Sequence, residues 1–170
     1  MSIYFDHAAT TPMVDAALNA LNTQLKKLGN ASSLHSAGRA VRKDLEAARE
    51  EIAQAINCAP SEVIFTATGT EANNLAIKGL YWKGVKENKR VIITSTFEHH
   101  AVMDPIVWLA EHEGAQGVGI NVDRKGFIDL AELQEAVEQH KGNIALISIM
   151  HSNNEVGTLQ DIAQVVKIAG

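Results

Sequence analysis

Residues 90–104 read RVIITSTFEHHAVMD, and they pass from a β-branched apolar run, through a short polar loop, into a helical pattern. RVIIT has the length and residue types of a strand, and the helix that follows runs through Trp108 and Leu109 to end near Gly114. His99 and His100 stand between the two. Such a pair admits three uses: metal ligands, a catalytic base, or a flat ring laid against a ligand.

The same alternation continues on both sides. EVIFT (62–66) is a short apolar run, followed by ATGTEANN and then the helical LAIKGLYWKG. GVGINV (117–122) is a further strand, DLAELQEAVEQH a helix opened by Asp129, and IALISIM (144–150) a fully buried strand. TLQDIAQVVKIA begins another helix. Strand and helix in alternation predict an α/β protein, with a mostly parallel sheet and helices on both faces. Two helices precede this pattern. Thr11 reads as an N-cap ahead of Pro12, with Val14, Leu18, Leu21, Leu25 and Leu28 at helical spacing up to Gly29. Val41, Leu45, Ala48, Ile52 and Ile56 then line one face of a longer helix that ends at NCAP.

Composition narrows the function classes. A chain of 170 residues suits one domain with a real core. Lys and Arg total 15 against 20 Asp and Glu, and the basic residues are scattered, so no nucleic-acid footprint is present. No apolar run reaches the length of a membrane span, and MSIYFDHAATTP lacks the pattern of a signal peptide, so a cytoplasmic location is expected. Cys58 is the single cysteine, which excludes an internal disulfide and a CxxC metal knuckle. It reads as a small apolar residue near a helix end.

In a parallel α/β sheet, ligands bind beyond the carboxyl ends of the strands. The loop after EVIFT offers a glycine, the hydroxyls of Thr68 and Thr70, and a helix N-terminus, which suit a phosphate. Thr68 and Glu71 also have the spacing of a capping box, so the loop reads equally as a helix cap. The loop after RVIIT holds the histidines. A metal would need a third ligand, and His112 lies at the far end of the same helix, so no metal site is expected. One histidine is expected to face the opening of the glycine-threonine loop and its neighbour to face elsewhere. After IALISIM, HSNNEVGTLQD offers two asparagines suited to gripping a ring hydroxyl, or to an Asx turn that caps the next helix.

Five stretches together carry a resemblance: YFDHAATTP, GNASSLHSAGR, TATGTEANNLAIKG, STFEHHAVMDP and MHSNNEVGTLQDI. In this order and spacing, from Tyr4 to about Ile162, the chain resembles the cysteine desulfurases of the class V aminotransferase group. The resemblance implies a partial large domain of a fold-type I enzyme that uses pyridoxal 5'-phosphate (PLP). Residues 1–14 would be a segment near the active site, and 15–170 part of the PLP-binding domain, ending before the Schiff-base lysine. It further implies that His99 stacks on the cofactor ring and is a proton carrier. Gly69 and Thr70 would hold the cofactor phosphate, and Asn154 would approach its phenolic oxygen. Asn30 would help receive the substrate carboxylate, with His7 and Ala8 lining the substrate end. L-cysteine is the implied substrate, sulfur-acceptor proteins serving iron–sulfur or thio-cofactor assembly the implied partners, and a homodimer or complementing chain the implied assembly.

Two positions depart from the family pattern. Ala31 stands where proline is usual, which would loosen a turn, and Thr68 stands where the phosphate loop usually has glycine. If that position needs a positive φ, threonine is strained there.

The lysine, an aspartate that pairs with the pyridine nitrogen, and the loop cysteine that carries the persulfide would all lie after residue 170. Cys58 is not in the nucleophile's motif. Ala169 and Gly170 match no domain boundary of that family, so a shortened chain, an interrupted gene product and half of a split enzyme are all open. Three other readings stand beside the desulfurase: a selenocysteine lyase or other class V enzyme, a non-catalytic module that binds a partner chain, and a metal module on His99, His100 and His112. The 170-residue chain alone is expected to release sulfide and alanine from cysteine no faster than free PLP does, as measured by product assay. Turnover above that background would overturn this.

Overall fold

In the computed structural model, which describes residues 3–170, the chain divides into two compact units, one up to Phe65 and one from Thr66 to Gly170. The first holds helices α1 (Asp15–Gln24) and α2 (Ser36–Ile56) and a 3-10 turn at Pro60–Glu62. Helix α2 follows its apolar spacing to the end, where Asn57 takes a left-handed conformation (φ 55°) and closes the helix onto the carbonyls of Ala53 and Gln54. Helix α1 is shorter than its spacing predicts. Its cap is Val14, which offers no side-chain acceptor, and its first helical bond is Leu18 N–H to Val14 C=O at 3.0 Å. Thr11 and Leu28 therefore fall outside it. Leu18, Leu21 and Leu25 are all exposed, so among the described residues this helix has no buried apolar face.

EVIFT is not a strand. A strand exists only with a partner, and residues 63–66 join no ladder among the described residues. Instead the Arg49 guanidinium from α2 hydrogen-bonds the Val63 carbonyl and lies over the Phe65 ring, 4.9 Å from its centroid.

The second unit begins with α3 (Gly69–Val85) and continues β1 (Val91–Ser95), α4 (His100–Glu113), β2 (Gln116–Ile120), α5 (Leu130–Gln139), β3 (Ile144–Ser148) and α6 (Ile162–Ala169). The sheet is wholly parallel, in the order β2-β1-β3. The α4 crossover joins neighbours, whereas the α5 crossover passes over β1 to its far side. Two apolar clusters result. Ile77 and Tyr81 of α3 pack with Ile92 and with Val102, Ile106 and Leu109 of α4 on one face. Val91, Ile93 and Ile120 pack with Leu133 and Ala136 of α5 and Val165 of α6 on the other. Helices thus cover both faces, as the alternation predicts. The central strand β1 is buried along its length, but β3 is only half-buried rather than fully, because it is an edge strand.

A register shift between Val91 and Ile92 leaves Ala145 unpaired in β3, where it meets α3. A Cβ at Gly84 of α3 would stand 2.7 Å from the Ala145 Cβ, whereas one at Gly79 would meet nothing within 4 Å. Two substitutions in one helix should therefore have opposite signs. Gly79→Ala is expected to stabilise by about 0.5–1 kcal/mol through helix propensity. Gly84→Ala is expected to destabilise by about 1–3 kcal/mol through overpacking. Urea denaturation of both variants checks this; equal shifts would mean that α3 does not approach β3 so closely.

Candidate functional site

Beyond the strand ends the backbone ladder stops, and side chains take over. The Glu98 carboxylate accepts two bonds on one oxygen, Oε1: from Ser95 Oγ at 2.8 Å and from the Met150 amide at 2.8 Å. Asn153 Nδ2 donates to the Phe97 carbonyl at 3.2 Å, while its Oδ1 accepts from the amides of Glu155 (2.9 Å) and Val156 (3.1 Å). The loop after β1 is thus tied twice to the loop after β3. Gln160 ties the latter to residues 126–128, accepting from the Ile128 amide at 3.1 Å and donating to the Gly126 carbonyl at 2.6 Å. The Asx turn expected here is present at Asn153, but the next helix is capped by Asp161, whose Oδ1 accepts from the Gln164 amide at 3.1 Å.

At the start of α3, Thr68 is the N-cap and its Oγ1 accepts from the Glu71 amide at 3.1 Å. Glu71 reaches back to the Ala67 amide at 2.8 Å, one residue before the cap. Thr68 has φ −148°, ordinary extended backbone, so threonine is unstrained there. The cap leaves the amides of Gly69 and Thr70 and the Thr70 hydroxyl without partners among the described residues. Gly69 has open space where a Cβ would be. These free donors at a helix N-terminus fit a phosphate.

Thr70 opens into a groove of about 460 Å³ between α3 and α4, which is also lined by Asn74, Lys78, His99, His100 and Trp108. His99 is the N-cap of α4, its Nδ1 accepting from the Ala101 amide at 3.0 Å. That bond requires an unprotonated Nδ1, so Nε2 carries the proton of the neutral ring. His100 lines the groove as well, rather than facing elsewhere; its ring stands 3.4 Å from the Asp104 carboxylate on the next turn. His112 instead stacks on Trp108 at 4.9 Å, and Lys78 covers the same indole at 4.4 Å.

Of the residues predicted for the site, the structure brings Thr70 and His99 to one groove, with Gly69 at its helix terminus. Asn154 is exposed on the loop after β3, outside that lining, with Nδ2 3.4 Å from Glu155 Oε1. In the first unit, His7 sits in a turn under the edge of the Tyr4 ring, at 5.1 Å, next to exposed Ala8. Asn30 Oδ1 accepts from the Ser32 amide at 2.9 Å, and its carbonyl from Ser33 N–H at 2.9 Å. The Asn30 side chain thus holds the turn in which alanine replaces proline. Cys58 is half-buried, its amide bound to the Ala53 carbonyl at 2.9 Å beyond α2. The tie of Glu98 to Met150 and that of Asn153 to Phe97 escape sequence reasoning, since each reaches a residue more than fifty positions away.

A parallel sheet with tied strand-end loops and, beside them, a helix N-terminus with free donors defines an α/β protein whose first α3 turn is chemically suited to a phosphate. Comparison with known proteins is more specific. The class V aminotransferase family matches residues 3–170, and the chain belongs to that family. It is 48% identical over 168 residues to an IscS-like cysteine desulfurase of Mycobacterium tuberculosis, covering 98% of this chain and 42% of that protein. It is 46% identical to the cysteine desulfurase IscS of Dictyoglomus turgidum, covering 98% of this chain and 41% of that one. Among solved structures, a NifS-like protein superposes with a TM-score of 0.92 at 36% identity, covering 99% of this chain and 45% of that one. SspA in complex with cysteine superposes with a TM-score of 0.88 at 35% identity, covering 99% and 47%. The chain therefore spans less than half the length of these relatives. No helix among the described residues is long and apolar enough to cross a membrane.

Burial raises the pKa of Glu98 above the ordinary 4.5, outweighing the lowering by the Met150 amide and the Ser95 hydroxyl. The folded chain then holds this proton more tightly than the unfolded one, so the group's contribution is full below about 4.5 and is lost as pH rises through the higher folded value. Wild type should therefore gain stability relative to Glu98→Gln on acidification from neutral pH towards 4.5, as measured by urea denaturation. Parallel pH curves for the two would contradict it.

Proposed function

We propose that the chain is the phosphate-binding and ring-facing part of a PLP-dependent cysteine desulfurase. The reading is carried by one observation: Thr70, beside free helix amides, and His99 line the same groove. The overall reaction would move the sulfur of L-cysteine onto an enzyme cysteine thiol as a persulfide, leaving L-alanine. PLP, when bound, supplies an electron sink at the amino acid's α-carbon.

The chain's own residues have separable tasks. The amides of Gly69 and Thr70 and the Thr70 hydroxyl bind the phosphate, aided by the positive end of the α3 dipole. His99 offers its ring face as a platform, and Nε2 as the site at which a proton is held or moved, while Nδ1 stays engaged in capping. Asn154 lies on the loop that the Asn153 turn holds, one residue away, and would hydrogen-bond the cofactor's phenolic oxygen. His7, Ala8 and Asn30 are assigned to the substrate side on resemblance alone, as residues 1–14 are to a segment near the active site and 15–170 to a partial PLP-binding domain. A cytoplasmic enzyme that works as a homodimer or with a complementing chain, and passes sulfur to acceptor proteins, completes the proposal.

A PLP titration of the 170-residue chain, followed by quenching of Trp82 and Trp108 fluorescence, tests it. Trp108 lines the groove and should respond. Thr70→Ala is expected to weaken binding about 10- to 100-fold, the scale of one hydrogen bond to a charged group. His99→Ala should also weaken it, through loss of ring contact. Quenching that does not saturate, or that ignores both substitutions, would overturn the proposal.

A further inference from the structure

We propose that Glu98 is a positioning residue of this site: its half-buried carboxylate, fastened to the chain leaving β3, fixes the backbone from which His99 is presented to the groove. The inference rests on the reading of His99 as the ring platform. Pairing of β1 with β3 ends at Thr94 and Ser148, so past that point no strand ladder holds the two chains together. Glu98 takes over there. Its Oε1 joins Ser95, the last residue of β1, to the Met150 amide, two residues past β3. The Asn153 bond to the Phe97 carbonyl adds a second tie one residue earlier. Packing closes the loop from the other side, since a Cβ at Gly126 would stand 2.8 Å from the Phe97 ring.

His99 follows directly, and its ring makes one hydrogen bond among the described residues, the cap to the Ala101 amide. Its position is thus set by the backbone at Glu98 and by the first turn of α4. Two donors converge on one carboxylate oxygen, so the position needs an acceptor of the right reach rather than a charge. Glutamine supplies such an oxygen and alanine does not.

Glu98→Ala, Glu98→Gln, His99→Ala and the Glu98→Ala/His99→Ala double variant test this by two readouts. In amide hydrogen exchange, Glu98→Ala should release both the Met150 and Ala101 amides, and Glu98→Gln should restore both. In PLP titration, Glu98→Ala should weaken binding about tenfold, within the coupling range for residues of one network. Glu98→Gln should recover it, and Glu98→Ala should cost nothing further once His99 is alanine. Release of Met150 with Ala101 still protected, full additivity in the double variant, or a glutamine variant as weak as the alanine one would each overturn the inference. Ser95→Ala, which removes one donor, should release Ala101 partially and serves if Glu98→Ala does not fold. If wild type fails to bind PLP, the functional proposal falls, and exchange at Ala101 in Glu98→Ala still decides whether Glu98 places His99.

Discussion

Everything in the second unit hangs on the burial of β1. Each of its residues is shielded, with Ile92 turned to α3 and α4 and Val91 and Ile93 turned to α5 and α6. Parallel pairing on both sides satisfies its backbone without water. Because β1 is central, its carboxyl end opens between two neighbours whose chains leave on the face opposite to α4. A strand that has to be covered on both faces thus creates, at its end, the kind of crevice in which α/β proteins bind ligands.

That crevice would be ill-defined if order stopped with the ladder. Polar side chains extend it, and they do so economically: Glu98, Asn153 and Gln160 each bond two or more backbone or side-chain groups. Such networks are costly when half-satisfied, because a buried polar group without a partner loses its hydration for nothing. Here the partners are present. The exception is Thr94, whose buried hydroxyl has none among the described residues.

Much of the fold was legible because it is local. The 3.6-residue spacing of α2, the Asp129 cap of α5 and the β-branched run of β1 each carry their own signal. The failures are non-local. EVIFT has the composition of a strand, yet composition cannot supply a partner, and Arg49 from α2 engages it instead. Thr11 has the chemistry of a cap, but helical bonding begins at Val14 C=O. The expectation that a histidine shares an opening with the glycine-threonine turn meets a groove lined by Thr70 and His99. The turn follows no strand among the described residues, however, so packing of α3 beside α4 rather than neighbouring strand ends brings the two together. Glu98 stayed invisible because its partner Met150 lies across the sheet, in sequence far from any motif around the histidines.

The start of α3 shows why two readings of one motif need not compete. A capping box and a phosphate site both use the free amides of a first helical turn, so they would conflict if they claimed the same ones. They do not. Thr68 takes the Glu71 amide, and the Glu71 carboxylate is engaged by the Ala67 amide. The amides of Gly69 and Thr70 stay free, and the cap fixes the geometry in which they point outward. The cap is therefore what would preorganise these donors for the proposed phosphate. Threonine at position 68 serves this role better than the glycine usual in the family, since extended backbone costs it nothing and its hydroxyl supplies the bond that glycine lacks.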